Sequence, residues 1–134
     1  MEVTYKDIQL AFQSIRSLSN KSGQKASVIV WLANKYRQLE PHYLDMEKQR
    51  VALLKRYGEM TNPDVAGYSF TTPEGRNAFD EEYNDLLESG VILDIKPTPL
   101  QKLLDGGLEL TAVELINLSW MIEYGDDYTD PRPN

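Results

Sequence analysis

The chain has 134 residues, and at that length one domain can bury roughly two-thirds of its unfolded surface. Its hydrophobic fraction of 41% and charged fraction of 26% are those of an ordinary globular protein, which sets aside the disordered and membrane-embedded classes. Cysteine is absent, which excludes a disulfide framework, thiolate metal sites and a cysteine nucleophile, and fits a reducing compartment.

Thr4 and Asp7 form a short capping box ahead of Ile8, Ala11, Phe12, Ile15 and Leu18, which predicts a first helix from about Tyr5 to Leu18. The Met1–Asp7 stretch lacks the basic and then apolar character of a signal peptide, so the chain is expected in a cytoplasm. Ser19–Gly23 is a polar break, and a long helical segment starts near Gln24. Ala26, Ile29, Val30, Ala33 and Tyr36 form its apolar stripe, continued by Leu44, Val51, Leu54 and Tyr57 as far as Gly58. Pro41 predicts a kink, or two helices meeting between Leu39 and Pro41, because proline removes an amide donor and crowds the preceding turn.

Thr61 to Gly67 reads as a loop, and Tyr68–Thr71 alternates as a short strand. Thr72 and Pro73 are cap and first residue of an amphipathic helix that stops at Ser89–Gly90. One side of that helix carries Phe79, Tyr83, Leu86 and Leu87; the other carries Asp80, Glu81, Asp85 and Glu88. Val91–Ile95 is a branched apolar strand whose expected partner is Tyr68–Thr71, with a possible third strand at Glu2–Tyr5. Thr98–Pro99 opens a short helix closed by Gly106–Gly107. Thr111 and Glu114 cap a last helix running through Ile122, apolar almost all round. The fold class is therefore α+β, mainly α-helical with a small two- or three-stranded sheet. Residues 1–124 form one globular domain, and 125–134 an acidic tail expected to be flexible unless docked.

No chemistry-bearing constellation emerges. His42 is the sole histidine, no glycine-rich loop has the spacing of a phosphate cradle, and the tail acids lack the ligand spacing of a calcium loop. The expectation is a non-enzymatic protein with no cofactor and no metal. Charge is the stronger signal: the net −7 divides into ten Lys and Arg against six Asp and Glu from Met1 to Met60, net +4, and four against fifteen from Thr61 to Asn134, net −11. Such a split draws the halves together, drives copies to associate, or gives each face its own partner.

The candidate binding residues are accordingly the acids Asp80, Glu81, Asp85, Asp126 and Asp127, the tail tyrosines Tyr124 and Tyr128, and the cations Arg50 and Arg56. A nucleic-acid partner would rest on Lys21, Lys25, Lys35, Arg37, Lys48, Arg50, Lys55 and Arg56, against the repulsion of an acidic chain, and is disfavoured. A protein partner or a second copy of the chain is favoured. The opposite electrostatic reading, an acidic half that mimics a nucleic acid and inhibits an enzyme that binds one, is the alternative.

The whole pattern resembles a family of small bacteriophage proteins that carries no assigned activity. The likeness lies in Leu53–Gly58 (Leu-Leu-Lys-Arg-Tyr-Gly), Phe79–Leu87 (Phe-Asp-Glu-Glu-Tyr-Asn-Asp-Leu-Leu), the Val91–Ile95 strand and Leu-Thr-x-x-Glu-Leu at Leu110–Leu115. It implies a phage origin and a non-enzymatic role; the expected location is the host cytoplasm or the virion.

Overall fold

The computed structural model describes residues 1–62, 65–126 and 128–132, with the backbone alone over 59–62 and 65–68. In chain order the elements are β1 (Glu2–Thr4), α1 (Tyr5–Ser19), α2 (Ala26–Tyr57), β2 (Glu59–Asn62), β3 (Val65–Ser69), α3 (Pro73–Glu88) and β4 (Gly90–Ile92). There follow β5 (Thr98–Pro99), α4 (Leu100–Asp105), α5 (Ala112–Leu118), a 3-10 turn (Ser119–Met121) and β6 (Ile122–Glu123). The architecture is mainly helical with small strand pairs, as the hydrophobic periodicity predicts.

Helix α1 is the centre of the core. The Thr4 hydroxyl accepts from the Asp7 amide at 3.1 Å while the Asp7 carboxylate accepts from the Thr4 amide at 3.0 Å, closing the expected capping box. Ile8, Ala11, Phe12, Ile15 and Leu18 then face inward and are essentially sealed from solvent. Around them pack the inner faces of α2 and α5, the Leu93–Ile95 strip and the α4 leucines Leu100 and Leu103. Two side-chain bonds tie the layers: Tyr5 Oη donates to Asp45 at 2.6 Å, and Asn117 Nδ2 donates to Ser14 Oγ at 3.1 Å.

Helix α2 bears on the expectation in two ways. Of the alternatives at Pro41, a kink or two helices, the second is overturned: α2 is one helix of 32 residues that runs through Pro41 without breaking. Proline deprives only the carbonyl four residues back, that of Arg37, and both Arg37 and Pro41 lie on the exposed side, where water takes the freed acceptor. Replacing Pro41 by Ala is expected to raise the unfolding free energy by about 1–3 kcal/mol, because the missing bond is restored and the clash removed. An unchanged urea midpoint for Pro41→Ala contradicts that account.

The second departure concerns which face turns inward. The buried residues of α2 are Val28, Leu32, Lys35, Leu39 and Met46, not the stripe Ile29, Val30, Ala33, Tyr36 and Leu44, whose members are exposed. The helix carries two apolar stripes at helical spacing, and α1 takes the one interrupted by a lysine.

The strands pair differently from the expectation as well. Val91 lies opposite Val3 in an antiparallel β1–β4 ladder, so the third-strand candidate at the N-terminus is the true partner of the Val91 strand. That strand is shorter than expected, ending at Ile92: the Leu93 amide still donates to the Met1 carbonyl at 2.9 Å, but Leu93 and Ile95 bury their side chains in the core. Val65–Ser69 pairs instead with Glu59–Asn62, an antiparallel hairpin in which Glu59 faces Ser69. The predicted 61–67 loop is thus mostly strand. A third, parallel pair joins Thr98 to Ile122, so Thr98–Pro99 is a strand that leads directly into α4.

Thr72 caps α3 through the Gly75 amide with Pro73 in the first turn, and Phe79 is its buried anchor, 5.3 Å from the Phe70 ring and 5.5 Å from Tyr83. The last helix is shorter than its apolar pattern predicts: α5 ends at Leu118 and tightens into the 3-10 turn before β6. Val113 and Ile116 on its outer side stay exposed.

Its capping box is complete, with Thr111 Oγ1 accepting from the Glu114 amide at 3.1 Å and Glu114 Oε1 accepting from the Thr111 amide at 2.9 Å. Burial pushes the Glu114 carboxyl upward, but the Thr111 bonds and the Lys21 ammonium at 3.1 Å together outweigh it and hold its pKa below the usual carboxylate value. A depressed folded-state pKa contributes stability that is fully present above the unfolded value and is lost as pH falls through the folded one. The urea midpoint is therefore expected to drop as pH falls below about 4, and Glu114→Gln is expected to flatten that part of the profile. Equal slopes in both proteins contradict the assignment.

Candidate functional site

The charge split survives folding largely uncompensated. Among the described residues four ion pairs form: Lys21–Glu114 at 3.1 Å, Arg50–Glu47 at 2.8 Å, Arg76–Asp80 at 3.9 Å and Arg132–Asp130 at 2.6 Å. Lys21–Glu114 alone joins the basic half to the acidic half; the other three pair near neighbours in the chain. Mutual neutralisation is therefore not what the asymmetry accomplishes.

The basic set is thinner in three dimensions than in the sequence. Lys21 is engaged by Glu114 and the Glu109 carbonyl, and Arg50 is held by both carboxylate oxygens of Glu47. Lys35 is only 8% exposed; its ammonium donates to Gln38 Oε1 at 3.1 Å and lies 6.0 Å from the centre of the Trp31 ring. Burial lowers its pKa. Arg56 lies 5.4 Å from the ring centre of Tyr57, whose hydroxyl is bonded to Glu82. Of the eight cations, Lys25, Arg37, Lys48, Lys55 and Arg56 remain exposed without a carboxylate partner among the described residues. Arg50 and Arg56, singled out together from the sequence, have different environments: Arg50 is half-buried and paired, Arg56 exposed.

On the acidic side, Asp80, Glu81, Asp85 and Glu88 face solvent along α3, and Asp80 meets Arg76 one turn back. The structure brings Asp85 beside Glu82, Gln49 and Ser89 in a shallow groove between α2 and α3, apart from the tail acids. Asp126 is exposed, and Asp127 lies outside the described residues. The two tail tyrosines are both engaged within the molecule. Tyr124 packs against the core and donates to Ser119 Oγ at 2.9 Å, with burial raising its phenol pKa. Tyr128 is exposed but donates to Gln101 Oε1 at 3.0 Å. The eight described candidates are thus spread over α2, α3 and the tail and form no single site.

The surface that sequence reasoning missed is the outer face of α2. Ile29 is 54% and Leu44 57% exposed, and Ala33 and Tyr36 lie between them at helical spacing. A groove of about 590 Å³ runs beside Ile29, Leu32, Ala33 and Tyr36, bordered by Lys21, Arg37 and Glu40. A second of about 480 Å³ continues it along Leu44, Lys48, Val51 and Lys55. The Tyr36 ring rests 4.9 Å from Phe12, so the seam has a firm floor on α1. Single exposed aliphatics are ordinary, whereas apolar side chains that recur along one helix face, interspersed with charged ones, mark a candidate interaction surface.

The chain has no match among protein-family models, curated proteins or solved structures. Among the described residues, no helix is long and apolar enough to cross a membrane, and no three His, Asp or Glu side chains gather in a way that would hold a metal ion. What the arrangement offers chemically is a rigid apolar seam on one side and a solvated anionic face on another.

Proposed function

We propose that this chain is a non-enzymatic protein-binding factor that engages its partner through the outer face of α2. The exposed seam Ile29–Ala33–Tyr36–Leu44 carries the reading. Ile29, Ala33 and Leu44 lie exposed on a long helix anchored by its other face, and Tyr36, packed on Phe12, joins that strip to the core and steadies it for another surface. The resemblance to bacteriophage proteins supports a phage-encoded factor acting in the virion or on a host protein, with a second copy of the chain among the possible partners. Retention of a phage or host protein by the immobilised chain, lost on Leu44→Glu and kept on Asp80→Lys, is the expected result. Equal retention by wild type and Leu44→Glu contradicts the proposal.

A second reading has its own observation. Asp80, Glu81, Asp85 and Glu88 form a solvent-facing acidic row for which Arg76 is the one cation paired among the described residues. Such a row supports a nucleic-acid mimic that occupies the groove of an enzyme acting on DNA or RNA, with strongly salt-dependent competition. Reversing Asp80, Glu81 and Asp85 to lysine without loss of inhibition removes this reading.

A further inference from the structure

We propose that the partner of the α2 seam is the α2 seam of a second copy, laid antiparallel about a two-fold axis passing between Tyr36 and Arg37. The inference rests on the protein-binding reading and names the occupant. A two-fold interface must be self-complementary, each residue meeting its counterpart across the axis. With the axis at that point, Ile29 meets the other copy's Leu44, Ala33 meets Glu40, and Tyr36 meets Arg37. The two exposed aliphatics of the strip, Ile29 and Leu44, therefore cover each other, and a guanidinium comes over a tyrosine ring. Arg37 and Glu40 lie one turn apart on the same strip, so the antiparallel arrangement places each Arg37 next to the opposite Glu40 on both sides of the axis.

The ends agree with this register. The first turn of α2 has no acidic residue, and its N-cap Lys25 makes no side-chain cap. Glu47 of the other copy, with its paired Arg50, falls opposite Ala26, so a carboxylate stands at that helix end. Moving the axis to pass through Glu40 instead sets two carboxylates against each other, which disfavours that register. A head-to-tail contact between the α3 acids and the α2 cations is also less favoured. Asp80, Glu81, Asp85 and Glu88 expose no large apolar side chain to cover Ile29 and Leu44.

The chain contains no cysteine, so introduced thiols report cleanly. Across the proposed axis Ile29 faces Leu44, whereas two copies of Ile29 stand about 22 Å apart along the helix axes, at 1.5 Å per residue. A disulfide needs Cα atoms within about 7 Å. Oxidising a mixture of Ile29→Cys and Leu44→Cys proteins is expected to yield the mixed disulfide dimer, with either variant alone giving at least tenfold less. Sedimentation is expected to show a dimer whose dissociation constant rises at least tenfold on Leu44→Glu. Arg37→Glu is expected to weaken the dimer and Arg37→Glu/Glu40→Arg to restore it. A chain that remains monomeric at about 1 mM, self-linking by Ile29→Cys alone, or dimerisation abolished by reversing Asp80, Glu81 and Asp85 each overturns the pairing. A monomer that still loses a phage or host partner on Leu44→Glu overturns the pairing alone and leaves the protein-binding function standing.

Discussion

Leu39→Ala is expected to lower the unfolding free energy by about 2–5 kcal/mol, while Leu44→Ala, five residues along the same helix, is expected to stay within about 0.5 kcal/mol in dilute monomer. Leu39 has no solvent exposure, so removing three carbons forfeits their transfer energy and leaves a cavity that the helix, pinned by its neighbours, does not fill. Leu44 is more than half exposed, and its truncation removes little from the folded monomer. Stability of a domain is commonly about 5–15 kcal/mol, so the Leu39 change consumes a large part of it. Urea unfolding of the two variants side by side is the measurement. Equal effects, or a larger one at Leu44, contradict the assignment of the inner and outer faces of α2, and with it the seam on which the functional proposal stands.

Gly106→Ala is expected to destabilise by about 1–3 kcal/mol although Gly106 has an ordinary backbone conformation, with φ −79°. The reason is space. A Cβ there would lie 2.2 Å from Val28 Cγ2, a stiff branched side chain buried in the core. The same residue's carbonyl accepts from the Lys25 amide at 2.8 Å, so any retreat of the α4 end also loosens the start of α2. Gly90→Ala provides the contrast. Its Cβ would meet the carboxylate of Glu2 at 2.3 Å, but that side chain is exposed and swings away, so a near-neutral effect is expected. Combining Gly106→Ala with Val28→Ala is expected to cost less than the sum of the two single changes, by about 0.5–3 kcal/mol of coupling. Strict additivity, read from denaturation midpoints, contradicts a steric origin.

Much of the local structure is legible in the residues because its causes are local. Thr4 with Asp7, Thr72 with Pro73, and Thr111 with Glu114 each satisfy the first amides of a helix through neighbours three positions away or fewer, and all three helices start where these residues predict. Gly58 and Gly106 end helices for the same short-range reason. The strand at Val91 is legible from its branched residues, but not its partner, since Val3 and Tyr68 are both plausible in a ladder that side-chain alternation alone does not discriminate. Tyr124 escaped in a similar way: an aromatic before an acidic tail resembles an interface residue, and its bond to Ser119 arises only because the 3-10 turn brings the two together.

The amino-acid order by itself determined the helical character of this protein, the position of nearly every helix start, the absence of thiol chemistry and the uneven distribution of charge. Tertiary structure decided the two matters on which function turns. Periodicity marks two apolar stripes on α2 but carries no sign, and only the packed fold, burying Val28, Leu32, Leu39 and Met46, left Ile29, Val30 and Leu44 outside. Charge counts say that the halves differ, and only the folded distances reveal that a single described pair, Lys21–Glu114, links them directly. Both are questions of which distant groups meet, and that is set by long-range packing, which no window of neighbouring residues contains.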